Sequence, residues 1–152
     1  MNDVTNAMEM IALTSENRSI LGPLEGLLAA DNVEAYLVGG FVRDALLGRE
    51  TKDIDLAVKA DAHMLARKFA DALGASFVSL DTERDVARIV GAIDGDEFVI
   101  DVARLDGDAK SDMARRDFTI NAMAISLNKE SYGELIDPFN GQADLAARNI
   151  RT

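Results

Sequence analysis

Hydrophobic positions recur along this chain with two periods, and the points where one gives way to the other predict its elements. Near the start, Val4, Ala7, Met8, Ile11 and Ala12, then Leu24, Leu27 and Leu28, repeat at helical spacing. Pro23 fits this pattern as the first residue of a second helix, where its missing N–H is no loss. Tyr36, Leu37 and Val38 form a short apolar run suited to a buried strand. Gly39-Gly40 follows, then Val42, Ala45 and Leu46 at helical spacing, with Gly48 placed for a left-handed C-cap. A second strand carries Asp53-Ile54-Asp55. Residues 60–73 read as an amphipathic helix with Leu65, Phe69, Ala72 and Leu73 inward and Gly74 past its end. Residues 76–80, 86–93 and 97–103 read as strands, the last two joined by the hairpin signal Asp94-Gly95. Ser111 is placed to cap a short helix before Arg115. Strands over 123–127 and 134–136 flank a Tyr132-Gly133 turn, and the turn cluster 137–141 opens a last helix over 142–148.

Chemistry concentrates between Tyr36 and Val58. A helix that starts at glycines presents unpaired N–H groups and a positive dipole end, which favours an anion over the turn. Arg43, read as lying in the first helical turn, opposes that dipole unless an anion sits between them. A triphosphate would resolve the conflict, although an ordinary strand-to-helix turn with Arg43 in solvent suits the same residues. In a strand, residues two apart share a face, so Asp53 and Asp55 point one way while Ile54 and Leu56 point to the core. Carboxylates held on one face repel, and an all-oxygen donor set suits Mg²⁺ or Mn²⁺ as the neutralising ion. The same alternation puts Phe98, Ile100 and Val102 on one face of the later strand and Val99, Asp101 and Ala103 on the other. An Asp among apolar strand residues needs a partner, either a salt bridge to Arg88 or Arg104 or a metal.

The stretch GGFVRDALLGRETKDID, followed in order by RRDFTINAMA at residues 115–124 and IDPFNGQADL at 136–145, resembles the head domain of class II tRNA nucleotidyltransferases (CCA-adding enzymes) and bacterial poly(A) polymerases. The resemblance covers residues 33–152. It implies an α+β fold, the nucleotidyltransferase (DNA polymerase beta-like) fold, with a mixed sheet flanked by helices. It implies Asp53, Asp55 and Asp101 as catalytic carboxylates holding two Mg²⁺ ions, with Mn²⁺ as a substitute. Gly39, Gly40, Arg43, Arg116, Asp117 and Asn121 would bind nucleotide. The implied activity is template-independent transfer of NMP from ATP or CTP to an RNA 3′-hydroxyl, as in CCA or poly(A) addition to a partner such as tRNA. In relatives an arginine follows the third carboxylate by a few residues; here Asp106 stands in the corresponding place. The base-selecting helix with Glu-Asp-x-x-Arg is absent before Thr152, which suggests a head-domain fragment or a short protein.

Composition narrows this picture. At 152 residues with 48% hydrophobic content, one domain with a proper core is expected: residues 1–32 as a helical segment packing on a head at 33–152. The sequence has no cysteine, which removes disulfides, thiolate zinc sites and cysteine nucleophiles, and its single histidine, His63, is expected to be exposed. No apolar run reaches transmembrane length and the first residues lack the basic region of a signal peptide, so a cytoplasmic protein is expected. The net charge of −11 opposes RNA binding by this stretch alone, but not nucleotide chemistry through a metal. Two rival readings share these residues: a non-catalytic nucleotide-binding or interaction module, and nucleotidyl transfer to a non-RNA acceptor.

Overall fold

The computed structural model describes residues 15–47, 49, 53–105, 107–114 and 122–146. It is a mixed sheet flanked by helices, and the chain order is α1 (Ser15–Ala30), β1 (Ala35–Val38), α2 (Gly39–Leu46), β2 (Asp53–Val58), α3 (Ala62–Leu73), β3 (Ser76–Asp81), β4 (Val86–Ile93), β5 (Asp96–Arg104), α4 (Ala109–Ala114), β6 (Ala124–Ser126), β7 (Leu135–Ile136) and α5 (Gly141–Ala146). The strands lie in the order β3-β4-β5-β2-β1-β6-β7. The β2–β5 pair is parallel, and the other described pairs are antiparallel. None of the described helices is long and apolar enough to cross a membrane.

Alternation along the strands splits the interior into two layers. Leu37, Ile54, Leu56, Val58, Ala87, Ile89, Phe98, Ile100 and Val102 bury one face against Leu65, Ala66, Phe69 and Ala70 of α3 and Ile20, Leu21, Leu24 and Leu28 of α1. Tyr36, Val38, Ala57 and Ala124 pack on the other face with Ala109 and Met113 of α4. Odd-numbered residues of β2 therefore belong to this second face, which carries Ala57 under α4 and, further back along the strand, Asp55 and Asp53.

Several sequence expectations are corrected. Pro23 does not open a helix: α1 runs through it. Gly22 and Pro23 are exposed while Leu21 and Leu24 are buried, so the lost N–H falls on the solvent side and burial of the opposite stripe holds the helix together. The N-terminal pattern at Val4 to Ala12 lies outside the described residues, as does Gly48. Ala72 is exposed, its place in the core taken by Ala62, Ala66 and Ala70. Asp108, not Ser111, caps α4, with its Oδ1 accepting from Ser111 N at 2.7 Å. Asp94 (φ 53°) and Gly95 (φ 85°) make the tight hairpin as expected, and Gly74 (φ 63°) ends α3 in the left-handed conformation.

His63 is not exposed but partly buried at the start of α3. Its Nδ1 donates to Asp85, its Nε2 hydrogen-bonds Ser79 Oγ at 2.7 Å, and Asp85 also accepts from the backbone N–H groups of Ala62 and His63 at 2.7 and 3.0 Å. Carboxylate, imidazole and hydroxyl follow the order of a hydrolytic triad. Ser79, however, sits on strand β3 at one end of the sheet and lines neither cleft described below, and the connections tie α3 to the β3–β4 hairpin. Burial pushes the Asp85 carboxyl up, but the His63 ring, the two backbone donors and the His63 charge outweigh it, so Asp85 titrates below the ordinary carboxylate range. A carboxyl depressed on folding contributes stability that is fully present above its unfolded value near pH 4 and is lost as pH falls through its folded value. Asp85→Ala is expected to lower stability at pH 7 by about 2 kcal/mol in urea unfolding, and the difference from wild type should shrink below about pH 4.

Candidate active site

The turn between β1 and α2 is built on Gly39, whose φ of 66° is a left-handed conformation that a Cβ would strain. This lets the chain leave the buried strand and enter a helix at once, with Val38 extended at the N-cap and making no side-chain cap. Arg43 is placed differently from the sequence expectation. The helix begins at Gly39, so Arg43 lies in its last turn, where a cation agrees with the dipole. Its side chain nevertheless reaches back along the helix: a Cβ on Gly40 would lie 3.3 Å from Arg43 Nη2, and Nε donates to Asp44 Oδ1 at 3.0 Å. Glycine at position 40 makes room for the guanidinium at the amino end of α2.

The carboxylates come together through strand pairing. In the parallel β2–β5 pair, Asp55 is directly opposite Asp101 and Asp53 opposite Val99. Side chains opposite each other in neighbouring strands point to the same face, so Asp53, Asp55 and Asp101 share one. Ile54, Leu56, Ile100 and Val102, facing the other way, are at most 1% exposed and fix this orientation. Asp53 is exposed, and Asp55 and Asp101 are half-buried. Gly40, Arg43, Asp44, Asp53, Asp55, Arg88 and Asp101 line one cleft of about 270 Å³.

Arg88 stands opposite Asp101 across the β4–β5 pair and holds it with two bonds, Nε to Oδ1 at 2.7 Å and Nη2 to Oδ2 at 3.0 Å. Of the two salt-bridge partners that the sequence left open, the structure has Arg88. The hydrogen bonds and charge of Asp101, with the charges of Asp53 and Asp55, hold the guanidinium above its ordinary pKa. Hard carboxylate oxygens suit a divalent ion such as Mg²⁺. No three of the described acidic or histidine side chains converge as a ready-made metal cage, and Asp101 is turned toward Arg88. The carboxylate oxygens of Asp53 and Asp55 on one strand face are of the kind that suits a divalent ion, while both oxygens of Asp101 are engaged by Arg88. Arg116, Asp117 and Asn121 lie outside the described residues, as does Asp106.

A larger groove of about 780 Å³ runs between the end of α1 and the β6–β7 connection. Tyr36 there donates to Glu34 at 2.9 Å, and burial, then Glu34, pushes its hydroxyl up to about 12. The groove is larger, but the smaller cleft combines a helix amino end, two guanidinium groups and four carboxylates, the residue types that phosphate and metal chemistry use.

Known proteins are similar to this chain in sequence and in fold. Residues 35–151 match the family model of the poly(A) polymerase head domain. The CC-adding tRNA nucleotidyltransferase of Geobacter sulfurreducens is 44% identical over 137 residues, covering 87% of this chain and 31% of that protein. The A-adding tRNA nucleotidyltransferase of Halalkalibacterium halodurans is 37% identical over 154 residues, covering 91% of this chain and 35% of the relative. Among solved structures, the Thermotoga maritima CCA-adding enzyme complexed with tRNA superposes over 100% of this chain and 37% of its own, with a TM-score of 0.83 and 35% identity. The chain spans about a third of the length of these relatives. Its mixed sheet is the nucleotidyltransferase fold of CCA-adding enzyme heads. By sequence and by fold, then, this chain belongs to the poly(A) polymerase head-domain family.

Proposed function

We propose that this chain is the head of a template-independent RNA nucleotidyltransferase, moving NMP from ATP or CTP onto an RNA 3′-hydroxyl with loss of pyrophosphate. The observation that carries this reading is the β2–β5 register, which sets Asp55 against Asp101 beside a glycine turn whose helix carries Arg43. Support for tRNA as acceptor comes from the CC-adding and A-adding relatives and from neighbours solved with tRNA and with CTP. A role on tRNA ends would place the protein in the cytoplasm. Residues 33–152 form the head in this reading, with the helical segment of 1–32 packed on it; the burial of Ile20, Leu21, Leu24 and Leu28 against the sheet supports that division.

Asp53, Asp55 and Asp101 would hold divalent ions, two Mg²⁺ or Mn²⁺ in their place, which when bound neutralise the triphosphate and acidify the attacking hydroxyl. The chain's own groups position the substrate. Backbone N–H groups at the amino end of α2 face the phosphates, and the Arg43 guanidinium adds a planar set of donors beside them. Arg116, Asp117 and Asn121 are the proposed further nucleotide contacts on the family motif. The carboxylates lie on rigid strands, so little ordering remains to be done at the moment of transfer. Incubation with α-labelled CTP or ATP, Mg²⁺ and tRNA lacking its 3′ end tests this. Label should appear on the RNA 3′ end with release of pyrophosphate. Label on the protein or a small molecule would instead assign another acceptor, and no transfer to any acceptor, with or without nucleotide binding, would leave a non-catalytic nucleotide-binding or interaction module.

A further inference from the structure

Arg88 is a group that the nucleotidyl-transfer reading does not use, yet it lies in the middle of the site. It lines the same cleft as Gly40, Arg43, Asp53 and Asp55, and it takes both oxygens of Asp101 in a planar two-bond fork. Such a pair is charge-neutral, so it weakens Asp101 as a ligand in two ways. The guanidinium occupies the oxygens that a cation would use, and its positive charge repels a cation from the neighbouring Asp53 and Asp55. The Arg88 side chain is 41% exposed and that of Asp101 28%, so the pair sits at the mouth of the cleft and can open without disturbing the core. A guanidinium fork matches phosphate oxygens as well as it matches a carboxylate.

Resting on the proposed function, we propose that Arg88 is a positioning residue that occupies the third carboxylate until nucleotide arrives: phosphate takes Arg88 in exchange for Asp101, and Asp101 thereby becomes a metal ligand. The cation and the anion are then exchanged for one another within the site, and no step leaves an isolated carboxylate in the cleft. Two reciprocal consequences follow by linkage. Removing the charge of Arg88 strengthens metal binding in the absence of nucleotide. Releasing Arg88 from Asp101 strengthens nucleotide binding in the absence of metal.

The test is Mn²⁺ titration of the metal-stripped chain, followed by the electron paramagnetic resonance signal of free Mn²⁺, for wild type, Arg88→Gln, Asp101→Asn and the double variant. Arg88→Gln should bind Mn²⁺ on the order of tenfold more tightly than wild type. That gain should be several-fold smaller in the Asp101→Asn background, where only the relief of the Arg88 charge beside Asp53 and Asp55 remains. A merely structural role for Arg88 would leave affinity unchanged or lower it. Arg88→Met, also neutral and of similar length, gives the same reading should the Gln variant fail to fold. In EDTA, ATP should bind Asp101→Asn several-fold more tightly than wild type, and the double variant should lose that gain. Mn²⁺ affinity in Arg88→Gln equal to or below wild type overturns the inference, and so does an equal gain in the Asp101→Asn background. Neither result touches the transfer reading, provided that wild type binds Mn²⁺ and labels RNA. A wild type that binds neither Mn²⁺ nor ATP and transfers nothing overturns both.

Discussion

Asp55→Asn should reduce NMP transfer by about 10³-fold or more while leaving the fold intact. The substitution is isosteric and removes one charge from a strand face that holds two further carboxylates, Asp53 beside it and Asp101 opposite. Coulomb repulsion among the carboxylates falls while the attraction of Asp55 for Arg88 is also lost, so urea unfolding at neutral pH should show stability within about 1 kcal/mol of wild type. Loss of activity without loss of stability separates a chemical role from a structural one. The buried neighbours Ile54 and Leu56 keep the strand in register in the variant as in wild type. The measurement is single-turnover labelling of RNA at saturating CTP and Mg²⁺. A variant retaining activity within about tenfold of wild type would mean that Asp55 does not hold the reacting groups.

The largest stability effect is expected at Phe69. Its ring is fully buried on α3, in the layer that also contains Ile54, Ile89, Phe98 and Ile100. Phe69→Ala removes the ring from a close-packed interior that relaxes only in part, which costs about 3–5 kcal/mol. A domain of this size has only about 5–15 kcal/mol to lose. The urea midpoint should fall steeply with little change in slope, because the surface exposed on unfolding is nearly unchanged. The same variant should weaken nucleotide binding only through unfolding. Where wild type and variant are both folded, in low urea, ligand affinity should match.

Much of the site was legible because strand alternation is a strict period of two. Asp53 and Asp55 share a face, and Phe98, Ile100 and Val102 turn Asp101 outward; both follow from spacing alone. The spacing does not say that β2 and β5 lie side by side and parallel. These strands are separated by α3 and the β3–β4 pair, and pairing between distant strands depends on the whole interior. The meeting of Asp55 with Asp101 therefore rested on family resemblance until the sheet was seen. Arg43 was misplaced by a single turn: it is the fifth residue of a helix that starts at Gly39, and because that helix is only eight residues long its second turn is also its last. His63 was missed for a different reason: its partners Asp85 and Ser79 belong to a distant hairpin, and a lone histidine on a helix gives no sequence signal of them. Pro23 shows propensity yielding to burial, since the apolar stripe of α1 outweighs one missing hydrogen bond.

The most direct test of the central claim is thermal unfolding with each of the four NTPs, with and without Mg²⁺, in wild type and Asp53→Asn. A ligand that binds only the folded state adds about 2.7 kcal/mol at a hundred times its Kd, a shift of several degrees for a chain of this length. Only ligand-induced shifts are compared, because Asp53→Asn changes the baseline by relieving repulsion. The expected result is a Mg²⁺-dependent stabilisation of wild type by NTP that disappears in Asp53→Asn. No shift with any NTP, or an equal shift in the variant, would contradict a nucleotide site built on the carboxylates of β2.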